Sequence, residues 1–292
     1  MVKVEPICAA CLIYRGIEES ELVTQEKTVI MEVVKRLIEL LREKFTAEAV
    51  PARLGTERDR IVKEVTGSPD PYERLKRLSN EVALKLLPIA KKRVLESRKG
   101  VETFRTACLL ATVANAFEFG VLDYGFKVEE FERLLEEAKL AIDDTAEAYN
   151  YVKPRSNVLY LADNAGELGF DSLLIEVLKS HGAEVRLVVK GSPILNDALL
   201  EDVKFFKLDG VVDEVLTTPG DEVGLDLSVI TGDLRRAYLS ADLVIAKGMG
   251  HYETLSEREA EVPTLHLLKA KCRPVAESLG VKVGSLVAKL RR

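Results

Sequence analysis

The sequence predicts an α/β protein, and two observations carry that prediction. Apolar residues in the first half recur with the 3.6-residue period of amphipathic helices. From residue 157 onward, short β-branched runs alternate with helical ones, which indicates a parallel sheet covered by helices. The period changes at residues 153–156. We therefore expect an N-terminal all-helical domain (1–153) and a three-layer, Rossmann-like parallel sheet domain (154–292).

Four helical zones are predicted in the first half. Residues 26–45 are amphipathic, and Pro51 and residues 67–71 interrupt the pattern that follows. Residues 72–95 form a second zone with Pro88 inside it, where the helix is kinked or divided. The remaining zones are 101–119, which is apolar on most sides and so predicted to be buried, and 128–151.

The second half is predicted to alternate strands and helices. The predicted strands are 158–162, 185–189, 212–216, 243–246 and 264–268. The predicted helices are 172–181, 196–206 and 234–240. The link at 153–156 is short, so the two halves are expected to pack together.

Composition excludes several classes of protein. The net charge is −6 without a dominant basic patch, so we expect no nucleic-acid partner. No apolar run is long enough to cross a bilayer, and the N-terminus lacks a signal-peptide pattern, so we expect a cytoplasmic protein without a membrane partner. Charged residues make up 31% of the chain and Trp is absent, which is typical of a protein from a thermophile.

Three polar runs follow predicted strands, at 163–167, 190–197 and 247–253. Because ligands of open α/β sheets bind outside the carboxyl ends of the strands, these runs are expected to converge. Asp163, Asn164 and Asp197 offer the oxygen ligands that Mg, Mn or Ca prefer. The alternative is ordinary turn and capping chemistry, in which Asn196 caps the helix that follows it.

Lys247, followed by Gly248, is a candidate to bind phosphate while backbone N–H groups surround the anion. Glu253 is a candidate to hold that lysine in place. Glu167 is a candidate to ligate the cation, to position a water or to favour a helix N-terminus. An exposed lysine before a turn is the alternative for Lys247.

Two further features lie in the first half. Asn115 and Glu118 interrupt an apolar helical stretch and share one helix face, so they either cap the core or reach the sheet edge. Cys8 and Cys11 form a lone C-x-x-C pair, for which packing, a redox role and metal binding are all open. Four cysteines are too few for a disulfide scaffold.

Several common motifs are missing from the sequence. There is no G-x-x-x-x-G-K-[ST] loop of a P-loop NTPase and no G-x-S-x-G elbow. The turn after the first predicted strand of the α/β half also lacks G-x-G-x-x-G, which removes the main support for dinucleotide binding.

The three runs resemble the motifs of the metal-dependent damage-control phosphatases, a family formerly known as a domain of unknown function. The resemblance covers nearly the whole chain and is greatest to the microbial subfamily I, which carries an N-terminal C-x-x-C. The matching residues are Asp163, Asn164, Gly166 and Glu167; Lys190, Pro193, Asn196 and Asp197; Lys247, Gly248, Gly250, Tyr252 and Glu253; and Asn115, Phe119 and Gly120. Ala114 and Glu118 depart from the Gly and Asp of the family's helical motif.

The resemblance implies a phosphatase that acts on small phosphorylated metabolites, either sugar phosphates or damaged purine nucleotides. It implies a Mn, Ni, Co or Mg ion bound by Asp163, Asn164 and Asp197. Asp163, Glu167 and Lys247 would take part in catalysis. Lys247, Gly248, Asn115, Glu118, Asn196 and Glu253 would contact the phosphate or the rest of the substrate.

Two other functions remain open at this stage. One is an S-adenosylmethionine-dependent carboxyl methyltransferase, in which an acidic residue beyond the first strand holds a ribose. The other is a regulator that binds a metal or nucleotide without turnover. The substrate, the physiological metal and the oligomeric state are not determined by the sequence.

Overall fold

The sheet is the centre of the fold in the computed structural model, which describes residues 2–115 and 128–292. Seven strands lie in the order β1-β7-β6-β5-β2-β3-β4, and all neighbours are parallel except β6 and β7. The strands are β1 (Leu140–Asp143), β2 (Asn157–Leu161), β3 (Glu184–Val189), β4 (Glu214–Thr217), β5 (Leu243–Lys247), β6 (Thr264–Lys269) and β7 (Leu286–Arg291).

Helices cover the sheet and also form the N-terminal part of the protein. They are α1 (Pro6–Glu21), α2 (Lys27–Lys44), α3 (Pro51–Thr66), α4 (Glu73–Glu96), α5 (Val101–Ala114), α6 (Val128–Glu137), α7 (Thr145–Ala148), α8 (Leu168–Ser180), α9 (Leu200–Phe205), α10 (Gly232–Leu239), α11 (Gly248–Leu255) and α12 (Arg273–Leu279). None of the helices in the described part of the chain is long and apolar enough to cross a bilayer.

Strand β2 shows how the three layers arise. Its alternate residues point to opposite faces of the sheet. Tyr160 packs in the core that contains α5 and α8, whereas Leu159 packs in the core that contains α10 and α11. Both side chains are buried, as expected for a central parallel strand. The predicted three-layer α/β fold is confirmed.

The N-terminal helices form a smaller core of their own. Val33 and Leu37 of α2 pack with Val62 of α3. Helix α4 contains Pro88 yet runs without a break, and it packs with α5 against α8. The helical predictions for 26–45 and 72–95 are confirmed, and 101–119 is confirmed as a buried helix as far as residue 114.

Two secondary-structure predictions were wrong, and one strand was missed. The zone 128–151 is not one helix, because α6 is followed by strand β1, which pairs with β7. The helix predicted at 196–206 begins only at Leu200, so Asn196 is not its cap. Strand β7 was not predicted; it is antiparallel to β6 and lies between β6 and the edge strand β1. The domain division at residue 153 itself stays a prediction, although β1 joins the sheet from before it.

Candidate functional site

The first two polar runs are joined by main-chain hydrogen bonds at the carboxyl ends of β2 and β3. The N–H of Ala198 donates to the carbonyl of Asp163 at 2.8 Å, and the N–H of Ala165 donates to the carbonyl of Asn196 at 2.9 Å. Asn164 and Asp197 form an isolated antiparallel bridge between these bonds. The expected convergence of the two Asp/Asn pairs is therefore present in the backbone, and it fixes their relative position.

Asn115 connects helix α5 to this edge of the sheet. Its Nδ2 donates to Asp163 Oδ2 and to Glu167 Oε1, each at 2.8 Å. Its Oδ1 accepts a bond of 3.1 Å from the main-chain N–H of Lys269. Of the two predicted roles for this buried amide, the structure supports the one in which it reaches the sheet edge. Glu118 lies outside the described residues.

Asn164 also donates hydrogen bonds to the carboxylates of Asp163 and Glu167. Its Nδ2 lies 2.5 Å from Glu167 Oε1 and 3.1 Å from Asp163 Oδ2. Because the amide nitrogen donates to these carboxylates, the amide oxygen is the atom of Asn164 that remains available to a cation.

Lys247 is completely buried and is paired with two carboxylates. Its Nζ lies 2.6 Å from Glu167 Oε2 and 2.9 Å from Asp171 Oδ1. Burial alone would lower the pKa of Lys247, but the charges of Asp171 and Glu167 raise it above its usual value. Lys247 is thus a fixed internal cation, and the partners that hold it are Glu167 and Asp171 rather than the predicted Glu253.

Asp171 is the residue of this site that the sequence analysis missed. It lies in α8, four positions after Glu167, the residue that caps this helix, and Tyr160 donates to its Oδ1 at 2.7 Å. The signal was present as a single acidic residue inside an apolar segment of this buried helix. Burial raises the pKa of Asp171 to about 6, although Lys247 opposes the effect.

Lys190 is a second buried lysine, and it is paired with Asp197. Its Nζ donates to the carbonyls of Glu222 and Gly224 at 2.8 and 2.5 Å and lies 3.5 Å from Asp197 Oδ2. Burial raises the pKa of Asp197 to about 6 against the lowering effect of Lys190. Both lysines at this edge are therefore held by the protein itself.

The carboxylates of the site increase one another's proton affinity. Burial raises the pKa of Asp163 well above its usual value, and the charges of Glu167 and Asp197 raise it further. Such a group of hard oxygen donors, with an excess of negative charge around Asp163, fits a divalent cation. Within residues 2–115 and 128–292, no three His, Cys, Asp or Glu side chains are already arranged as a metal site.

Gly248 allows β5 to approach Asp163 closely. Its φ is +77°, and a Cβ at this position would lie 2.0 Å from Asp163 Oδ2. Only glycine satisfies both conditions. Helix α11 begins at this residue, so its first turn lies directly beside the Asp163 carboxylate.

Glu253 and the C-x-x-C pair lie in a different environment. Glu253 is buried and accepts a hydrogen bond from the main chain of Ala52, and burial raises its pKa to about 8. It interacts electrostatically with the thiols of Cys8 and Cys272, and Cys11 interacts with the same two thiols. Burial raises the pKa of Cys8 and that of Cys272, the latter to about 11, which disfavours reactive thiolates.

All four cysteines are free thiols. The role of Cys8 and Cys11 stays a prediction.

These features define a class of protein: a parallel α/β fold whose carboxylates, amides and buried lysines meet at the carboxyl ends of three adjacent strands. The damage-control phosphatase ARMT1-like domain model matches residues 4–287, and the chain belongs to this family. The resemblance of the sequence motifs to damage-control phosphatases is confirmed.

Curated relatives match over almost their entire length. The chain is 37% identical over 294 residues to a damage-control phosphatase of Archaeoglobus fulgidus, covering 99% of both chains. It is 36% identical over 290 residues to an uncharacterized protein of Methanocaldococcus jannaschii, covering 98% of this chain and 95% of that one. The crystal structure of a DUF89 family protein of Pyrococcus horikoshii superposes with a TM-score of 0.90 at 33% identity, covering 100% of both chains.

Family membership and the names of these relatives support a phosphatase with a role in damage control.

Proposed function

We propose that this protein is a metal-dependent phosphatase that hydrolyses phosphomonoesters of small metabolites. The observation that carries the proposal is the backbone junction that holds Asp163 and Asn164 against Asn196 and Asp197. It brings oxygen donors from two strand ends to one place, next to the buried lysines Lys190 and Lys247. A family of phosphatases supplies the reaction class.

Asp163, Asn164 and Asp197 are the proposed ligands of a Mn, Ni, Co or Mg ion. When bound, such an ion would stabilise the negative charge that develops on the transferred phosphoryl group. The mutual repulsion of Asp163, Glu167 and Asp197 supports the assignment, because a cation at this edge would relieve it.

Glu167 acts in this proposal through its position among three donors. Oε1 accepts from Asn115 and Asn164, and Oε2 is paired with Lys247. These three donors hold the carboxylate in one orientation, and it in turn orients the amide of Asn164. Lys247 contributes positive potential toward the phosphate from inside the protein, while Gly248 admits the anion to the first turn of α11.

Hydrolysis of an aryl phosphate tests the reaction class directly. The protein is stripped with a chelator, dialysed and assayed with Mn²⁺, Ni²⁺, Co²⁺ or Mg²⁺ in turn. We expect activity only after metal is restored, and we expect Asp163→Ala to abolish it. Asp209→Ala, which alters an exposed aspartate, is the matched control. Full activity after chelation, together with full activity of Asp163→Ala, would exclude the proposal.

The substrate class is proposed as sugar phosphates or damaged purine nucleotides, and a screen of phosphorylated metabolites with the active metal form tests it. The methyltransferase alternative is not favoured, because the turn after β2 carries Asp163 and Asn164 in place of a glycine-rich loop. Calorimetry with S-adenosylmethionine separates the two functions, since the phosphatase is expected to give no binding heat.

A further inference from the structure

Residues 190–197, which we call the Asp197 loop, carry a backbone conformation that is costly on its own. Leu195 has a φ of +47°, a left-handed conformation that a branched side chain disfavours. It stands directly before Asn196 and Asp197. Such a residue persists only where its surroundings fix it, and conformations of this kind are concentrated at functional sites.

Helix α3, from the N-terminal helical part, supplies the groups that fix this loop. Oδ1 of the fully buried Asp59 accepts a 3.0 Å hydrogen bond from the main-chain N–H of Leu195. One turn later, Lys63 Nζ donates to the carbonyl of Pro193 at 2.5 Å. The same α3 face therefore satisfies one donor and one acceptor of the loop, on either side of Ile194.

The two α3 side chains also hold each other. Lys63 Nζ lies 2.5 Å from Asp59 Oδ2, in an i,i+4 pair, and 3.4 Å from Asp221 Oδ2. Glu19 of α1 lies against this pair. Burial and the neighbouring Asp59 raise the pKa of Glu19 to about 8, against the lowering effect of Arg58. Arg58 Nε lies 3.3 Å from Glu19 Oε2, so this part of α3 is also tied to α1.

On its far side the Asp197 loop is bound to the site itself. The main chain of Asn196 and Ala198 bonds to the 163–165 turn, and Lys190 holds the Asp197 carboxylate. The loop is thus held between α3 and the strand ends. Movement of α3 away from Leu195 would release the conformation that places Asp197.

We propose that Asp59 and Lys63 are positioning residues that hold the Asp197 loop in its ligand-presenting conformation from a separate helical layer. They touch the loop backbone rather than the substrate. The proposal rests on the proposed function for its effect on metal binding and catalysis, but its structural part is independent of any activity.

Hydrogen exchange on the metal-free protein tests the structural part. Asp59→Ala removes the acceptor of the Leu195 amide, so exchange within residues 190–198 is expected to accelerate about tenfold or more. Asp59→Asn retains an oxygen acceptor and is expected to restore much of the protection. Glu64→Ala, which removes an exposed α3 side chain paired with Arg36, is the matched control and is expected to leave the loop unchanged.

Metal affinity tests the positioning role without relying on turnover. In titrations with Mn²⁺ followed by calorimetry, we expect Asp59→Ala to weaken binding about tenfold or more, as loss of an outer support of a metal site commonly does. We expect Asp59→Asn to weaken it less. Lys63→Met, whose side chain is partly exposed, provides a second variant should Asp59→Ala not fold, and it is expected to accelerate exchange near Ile194.

The two proposals fail in distinguishable ways. A wild-type protein that releases no phosphate with any metal contradicts the phosphatase, while the exchange data still decide the loop support. Exchange in residues 190–198 that is unchanged in Asp59→Ala and in Lys63→Met overturns the support itself. A change in exchange without any change in Mn²⁺ affinity overturns the positioning role.

Discussion

Nζ of Lys247 lies 2.6 Å from Oε2 of Glu167, and both side chains are completely inaccessible to solvent. The positive charge of Lys247 is therefore already paired with protein carboxylates before any phosphate binds. This differs from the prediction that Glu253 holds this lysine in place, and it makes Lys247 a structural element as well as a source of positive potential.

Removing that cation is expected to destabilise the protein strongly. Lys247→Met leaves the carboxylates of Glu167 and Asp171 buried without their common partner. Breaking a buried pair in this way costs about 3–5 kcal/mol. Denaturant unfolding measures the loss, with Lys289→Met as the control, because the Lys289 pair with Asp144 is partly exposed and is expected to contribute about 1 kcal/mol or less. Equal stability of the two variants would contradict the buried pairing.

Gly248→Ala is expected to impair the site because the new Cβ meets the Asp163 carboxylate. The control is Gly280→Ala, which has a similar φ of +69° but no heavy atom within 4 Å of the new Cβ. Both variants carry the strain of a left-handed alanine, about 1–2 kcal/mol. Only Gly248→Ala displaces Asp163, so only it should lose Mn²⁺ affinity and phosphatase activity. Denaturant unfolding measures the backbone strain in both variants, and Mn²⁺ titration measures the displacement of Asp163. A Gly248→Ala protein with normal Mn²⁺ affinity would contradict the close contact between residue 248 and the Asp163 carboxylate.

Replacement of Asn115 by aspartate, which has the same shape but a negative charge, is expected to destabilise the protein. In Asn115→Asp the donor that serves Asp163 and Glu167 becomes a third carboxylate, so two hydrogen bonds are replaced by repulsion. Loss of buried hydrogen bonds costs about 1–3 kcal/mol, and more where charged groups are involved. Asn150→Asp, at an exposed position, is the control. Thermal unfolding of both variants measures the effect. An unfolding temperature of Asn115→Asp equal to that of the wild type would contradict the prediction.

The sequence predicted those parts of the fold and site that depend on local pattern. Strand ends at Asp163 and Lys247 could be recognised because each polar residue comes directly after a short apolar run. Asp171 and Asp59 do not follow a strand but lie within helices, and only tertiary packing brings them to Lys247 and Leu195. Strand β1 was missed because it is only four residues long and is held by pairing with β7, which lies far along the chain.

Glu253 gives the clearest expectation for pH dependence. Burial raises its pKa from the usual 4.5 to about 8, so the folded protein binds this proton more tightly than the unfolded chain does. The resulting stabilisation is complete below about pH 4.5 and is lost as the pH rises to about 8. The shift corresponds to at most about 5 kcal/mol in the free energy of unfolding.

Glu253→Gln removes this titration and keeps an oxygen that accepts the Ala52 N–H. We expect the variant to match the wild type near pH 4 and to become progressively more stable than it up to about pH 8, beyond which the difference stays constant. Denaturant unfolding at a series of pH values measures the difference. Glu259→Gln, at an exposed position, should show the wild-type profile. If Glu253→Gln instead lost stability on going from pH 5 to pH 8 as steeply as the wild type, the buried proton would have to reside on another group.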